Sequence, residues 1–79
     1  MDKHIDVQHF GPLREARGRA SEAVATRAAT PRELYDELGL GAAYPQGALR
    51  VAVNDALAAW DAPLDDGDRV VFLAPSSGG

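Results

Sequence analysis

The 79-residue chain contains no cysteine. Disulfides are therefore excluded as a brace for a domain near the lower size limit of self-sufficient folding. Two histidines without cysteine also argue against a structural zinc site. The core has to hold by packing. Positive charge is scarce too: eight Lys and Arg stand against twelve Asp and Glu, for a net charge of −4. A nucleic-acid binder needs a basic face that this balance does not supply. No apolar run approaches the roughly 20 residues of a membrane helix. Asp2, Lys3 and His4 lead only into a short apolar alternation, which is not a signal peptide. These absences predict a soluble cytoplasmic domain that engages neither nucleic acid nor membrane; the lack of cysteine fits a reducing compartment.

What is present reads as one domain without repeats or linkers. Residues 3–10 alternate, with Ile5 and Val7 on one face and His4, Asp6, Gln8 and Phe10 on the other. Gly11-Pro12 breaks this strand, and Pro12 opens a short helix through Arg17 that Gly18 ends. Residues 20–28 form an alanine-rich second strand. Thr30-Pro31-Arg32-Glu33 is a helix entrance, with Thr30 as cap and Glu33 completing a capping box. Leu34 and Leu38 share a face of this main helix, and Gly39 stops it. Residues 40–48 read as an irregular crossing, and 49–54 as a strand. After a turn at Asn54-Asp55 comes a short strand through Ala59 and Trp60. Residues 63–68 are dense in turn formers.

Residues 69–74 are almost continuously apolar. That fits a central strand covered on both faces, or one with a face turned to a partner. The order predicts an α+β fold: a mixed sheet of about five strands on one main helix, with a short extra helix after strand one. This is a β-grasp arrangement if the last strand lies beside the first. Residues 1–75 make the domain, and 76–79 a flexible Gly-Gly tail.

Three stretches carry a family resemblance. Phe10-Gly11-Pro12-Leu13-Arg14-Glu15-Ala16-Arg17-Gly18 matches an aromatic–x–x–Leu-Arg-Glu–x–x–Gly segment. Val51-Ala52-Val53-Asn54 matches a strand and its turn. Pro63 to Val70 matches the turn into a last strand, which leads to Gly78-Gly79. In this order and at this length they resemble the small subunit of molybdopterin synthase, a ubiquitin-like sulfur carrier. The thiamin-pathway carrier shares the second and third stretches but usually lacks the insertion at 12–17. The tail departs from the family in carrying Ala74-Pro75-Ser76-Ser77 where two prolines and a bulkier residue are common.

The resemblance implies a mechanism. An activating partner, a ubiquitin-activating-like adenylyltransferase, uses ATP to adenylate the carboxylate of Gly79. Sulfur then replaces AMP, and the resulting thiocarboxylate donates sulfur to a pterin precursor in the large synthase subunit. The complex it implies is a heterotetramer, in which this chain is a non-catalytic subunit and sulfur donor that binds no cofactor itself. With no cysteine for a persulfide, the terminal carboxylate is the remaining place to hold sulfur. Gly78 lacks a Cβ and suits a tail threaded through a narrow channel. From Pro75 the tail reaches roughly 17 Å. On its own such an end is equally an ordinary frayed terminus.

Parity places Phe10 outward on strand one, and sets Val71 and Leu73 opposite Val70 and Phe72 on the last strand. Family comparison makes Phe10 and Leu73 an apolar partner patch beside Pro75, Ser76 and Ser77; the alternative is that both complete the core at strand ends. His4 and His9 fall on opposite faces and cannot chelate together. Asp65, Asp66 and Asp68 read as a solvated turn without a calcium-loop pattern. Arg14, Glu15 and Arg17 read as a solvated helix face, near enough to Phe10 in sequence to rim the patch. Other readings of the same chain are a thiamin, tungsten-cofactor or amino-acid sulfur carrier, a ubiquitin-like protein modifier, and a plain interaction module.

Overall fold

The computed structural model describes residues 2–74. Five strands and two helices follow in the order β1 (Lys3–His9), α1 (Gly11–Arg17), β2 (Ser21–Thr26), α2 (Pro31–Glu37), β3 (Arg50–Val53), β4 (Ala56–Ala58) and β5 (Arg69–Leu73). Two 3-10 turns, Leu40–Ala42 and Gln46–Ala48, fill the crossing between α2 and β3. The sheet order is β2-β1-β5-β3-β4. β1 and β5 are parallel and central, in register from Asp6↔Arg69 to His9↔Phe72, while the other pairs are antiparallel. This is the ubiquitin-like β-grasp, with first and last strands side by side.

Local chemistry explains the elements. Thr30 Oγ1 accepts from the Glu33 amide at 3.2 Å, and the Glu33 carboxylate accepts from the Ala29 amide at 3.1 Å. Two otherwise orphaned helix-entry donors are thereby satisfied. Pro31 sits in the first turn, where its missing N–H is harmless. Gly18 follows α1 at φ 75° and Gly39 follows α2 at φ 70°, left-handed positions that suit glycine. Asn54 and Asp55, at φ 51° and 70°, close the β3–β4 hairpin with the two positive φ angles of a tight hairpin turn.

The core lies between α2 and the inner face of the sheet. Ile5, Val7, Val51, Val70 and Phe72 meet Leu34 and Tyr35 there, all buried. Tyr35 packs edge-on against Phe72 at 5.1 Å between ring centroids, and Trp60 stacks on Phe72 at 5.6 Å. Trp60 therefore sits at the core edge, as its place beside a turn suggests. It lies beyond β4, which ends at Ala58 rather than running through Ala59. Val71 and Leu73 are half-buried on the other face, so β5 is not sealed on both sides.

Arg17 departs from the expected solvated helix face. Its guanidinium bridges both Glu22 oxygens at 2.7 Å and donates to the Leu38 carbonyl at 3.4 Å. His9 lies 2.8 Å from the same carboxylate. The His9 side chain is 0% exposed and that of Glu22 6%. α1 is thus pinned to β1, β2 and the end of α2 through one carboxylate. The fork of Arg17 holds the Glu22 carboxyl down at about 2, from an ordinary 4.5; burial opposes this and His9 assists.

The unfolded chain binds a proton at Glu22 more readily than the folded one. The associated stability is full above pH 4.5 and is lost as pH falls toward 2, by roughly 3 kcal/mol. Urea midpoints measured from pH 6 to pH 2.5 should fall across this window, and the slope should be shallower in Glu22→Gln.

Candidate functional site

The site is built around the end of β5. That strand runs up the middle of the sheet and delivers the chain to Ala74, which packs against the core. Phe10 and Leu73 each follow the last β1–β5 pair by one residue; Phe10 leaves the sheet there, while Leu73 ends β5. Arg50 is paired with Leu73 across β3 and β5.

Phe10 does not continue the strand parity. β1 stops at His9, and Phe10 becomes the residue that precedes α1, with φ −88° and ψ 172°. Its carbonyl accepts from the Arg14 amide at 2.7 Å, so the first turn of the helix fixes its position. The ring meets Tyr44 edge-on at 5.4 Å. Phe10 is half-buried and packs against the core, as Leu73 is half-buried on β5. Neither is a freely exposed side chain. Pro75, Ser76, Ser77, Gly78 and Gly79 lie outside the described residues.

Two residues of this end escape a reading of the sequence. Tyr44 sits in the irregular crossing, and only its being a lone aromatic in an alanine- and glycine-rich stretch marks it. The Tyr35 hydroxyl donates to its carbonyl, tying the crossing to the core. Arg50 is an ordinary strand residue by sequence; the register with Leu73 brings it here.

The polar residues elsewhere are structural. Asp66 accepts from the His4 amide at 2.6 Å, and Asp68 accepts from the Asp65 amide at 2.8 Å. Asn54 Nδ2 donates to Asp68 at 2.9 Å, and Asn54 Oδ1 accepts from the Arg69 amide at 2.9 Å. The acidic turn thus closes on the β3–β4 hairpin and β1. Among the described residues no group of three His, Cys, Asp or Glu is placed to hold a metal ion. No helix among them is long and apolar enough to cross a membrane. The central strand β5 ends at Leu73, six residues before Gly79 in the sequence.

Comparisons agree with this geometry. The ThiS family matches residues 7–79. The molybdopterin synthase sulfur carrier subunit of Escherichia coli (strain K12) is 35% identical, over 95% of this chain and 99% of that protein. In the complex of subunits 1 and 2 of the molybdopterin-converting factor from Helicobacter pylori, the matched chain is 30% identical, with a TM-score of 0.62. The match covers 96% of this chain and 99% of that one. The small archaeal modifier protein 1 of H. volcanii shares the fold at 22% identity and a TM-score of 0.72, over 94% of this chain and 99% of that one. The chain belongs to the ThiS family and is a homologue of the molybdopterin synthase sulfur carrier subunit.

Proposed function

We propose that the chain carries sulfur for molybdopterin synthesis as a thiocarboxylate on Gly79. The observation that carries this reading is the family match, which runs through the Gly-Gly end to Gly79 itself. The position of that end in the sequence supports it: Gly78 and Gly79 follow shortly after the central strand β5. An activating partner adenylates the carboxylate with ATP, and sulfur displaces AMP. A thiocarboxylate stays ionised at neutral pH and, like a thiolate, is a soft nucleophile. The large synthase subunit then receives the tail and supplies the pterin site, in a cytoplasmic heterotetramer. Without cysteine, this chain has no persulfide route.

Phe10 and Leu73 flank the start of the tail and are the candidate contacts with the large subunit, with Pro75, Ser76 and Ser77 following into its channel. Each is half-buried, so each has surface left to bury. Phe10→Glu and Leu73→Glu are expected to weaken large-subunit binding by roughly 2 kcal/mol, as loss of an aromatic or aliphatic anchor does. Titration calorimetry reads the affinity, and a melt confirms the fold. Unchanged affinity in a folded Phe10→Glu protein would remove Phe10 from the interface.

Protein modification through Gly79 is a second reading, favoured by the fold shared with an archaeal modifier. Isopeptide-linked conjugates recovered from cells would support it; a thiocarboxylated free chain would support the carrier.

A further inference from the structure

The free edge of the sheet at β4 has a feature that sulfur carriage does not use. Among the described residues β4 pairs with β3 alone. In a hairpin closed by two residues, the pair flanking the turn, Val53 and Ala56, exchanges hydrogen bonds. The next pair, Ala52 and Leu57, does not, so the N–H and C=O of Leu57 point away from β3 to the open edge. Leu57 is also the exposed large hydrophobic residue of the described chain, at 72%. Such an edge is a template for another strand.

Beside it lies a cavity of about 390 Å³ lined by Leu57, Ala58, Trp60, Arg32, Arg50 and Asp61, among others. Arg17, Arg27 and Arg69 each pair with a carboxylate; Arg32 and Arg50, like Arg14 and Arg19, have no ion pair among the described residues, but only Arg32 and Arg50 line this cavity. An acidic protein therefore gathers two uncommitted guanidiniums and one carboxylate along the wall of a strand-adding edge. Guanidinium groups bind carboxylates through paired N–H donors.

We propose that this edge and cavity dock an extended acidic segment of a partner protein. The segment adds as a strand on Leu57, in the manner of β-augmentation. It sets an Asp or Glu side chain against Arg32 and Arg50, and an apolar neighbour over Leu57. The site is independent of what Gly79 carries.

The test is an amide-shift titration of the full 79-residue chain with a capped hexapeptide alternating threonine and glutamate. A peptide with lysine in place of glutamate is the control. Saturable shifts centred on Leu57, Ala58 and the Trp60 indole are expected with the acidic peptide only. Arg32→Glu with Arg50→Glu should weaken binding about tenfold, the sum expected of two exposed pairs. Leu57→Pro should weaken it as well, since proline on an edge removes the outward donor while the hairpin bonds remain. If that variant fails to fold, the arginine pair decides.

Absence of shifts at millimolar peptide, or equal binding of the lysine peptide, would overturn the proposal. So would shifts at these residues that depend on protein concentration alone, which would make a second copy the occupant. Binding that appears only after residues 75–79 are removed would make the chain's own tail the occupant, and would likewise overturn it.

Discussion

A chain ending at Gly78 should lose sulfur transfer by at least about a hundredfold while melting at the temperature of the full-length protein. The truncated chain still ends in glycine and still carries a carboxylate, so the chemistry of the group is unchanged. Its position is what changes. One residue of extended chain is worth about 3.4 Å. Reacting atoms have to come within roughly 3–3.5 Å, and a misplacement of only 1 Å can lower the rate about a hundredfold. On the proposed docking through Phe10 and Leu73, the domain is held at the mouth of its partner and cannot slide inward to make up the distance. The core described in the structure is complete by Ala74. The test is single-turnover sulfur transfer in the reconstituted complex, beside a thermal melt. Wild-type transfer by the truncated chain would mean that Gly79 is not the carrier atom.

Glu22→Ala should destabilise the domain by roughly 2–3 kcal/mol, because the buried His9 ring loses its partner while Arg17, 30% exposed, keeps access to water. A domain of this length has roughly 4–12 kcal/mol of stability in all, so the variant gives up a large part of it. The substitution takes a partner from two groups at once. The guanidinium of Arg17 loses both 2.7 Å contacts, and the buried His9 ring loses its contact at Nε2. His9 Nδ1 already lacks a partner among the described residues, which leaves the ring with no protein hydrogen bond there at all. Replacing the charges together should be milder without being neutral. Arg17→Met with Glu22→Leu puts apolar volume where the pair was, but His9 still loses its partner at Nε2. Denaturant melts of the two single variants and the double variant would show a large positive coupling. Additive effects would mean that the pair does not act as a unit.

The network also bears on function. Phe10 lies between His9 and α1, and Arg17 anchors the far end of that helix. Loosening Glu22 therefore loosens the mount of Phe10. A Glu22→Gln protein is expected to stay folded at neutral pH.

Where the sequence was informative, the interactions are local. Thr30, Pro31 and Glu33 announce a helix because cap, first turn and box span only a few residues, and the structure has those bonds. Asn54-Asp55 announces the hairpin because positive φ is a property of the residues themselves. The placement of β5 beside β1 needs the family resemblance, since a parallel pair 63 residues apart leaves no local mark. Arg17 was read as solvated because nothing near it in sequence betrays Glu22 across the α1–β2 turn. Period-two parity is valid for Ile5, Val7 and His9 and fails at Phe10, because the strand yields to the helix one residue sooner. Tyr44 and Arg50 join the exit of β5 only through the tertiary fold. The Gly-Gly end gains its meaning in the sequence only from the upstream stretches that carry the resemblance, and it lies beyond the described residues.

The most direct measurement is the intact mass of the chain isolated from cells that make the cofactor, together with the mass of its C-terminal fragment. A sulfur carrier acting at Gly79 predicts a fraction heavier by the difference between sulfur and oxygen, with the gain confined to the fragment containing Gly78-Gly79. A chain that never shows that gain, even when the pterin-accepting subunit is absent and the charged form should accumulate, contradicts the account.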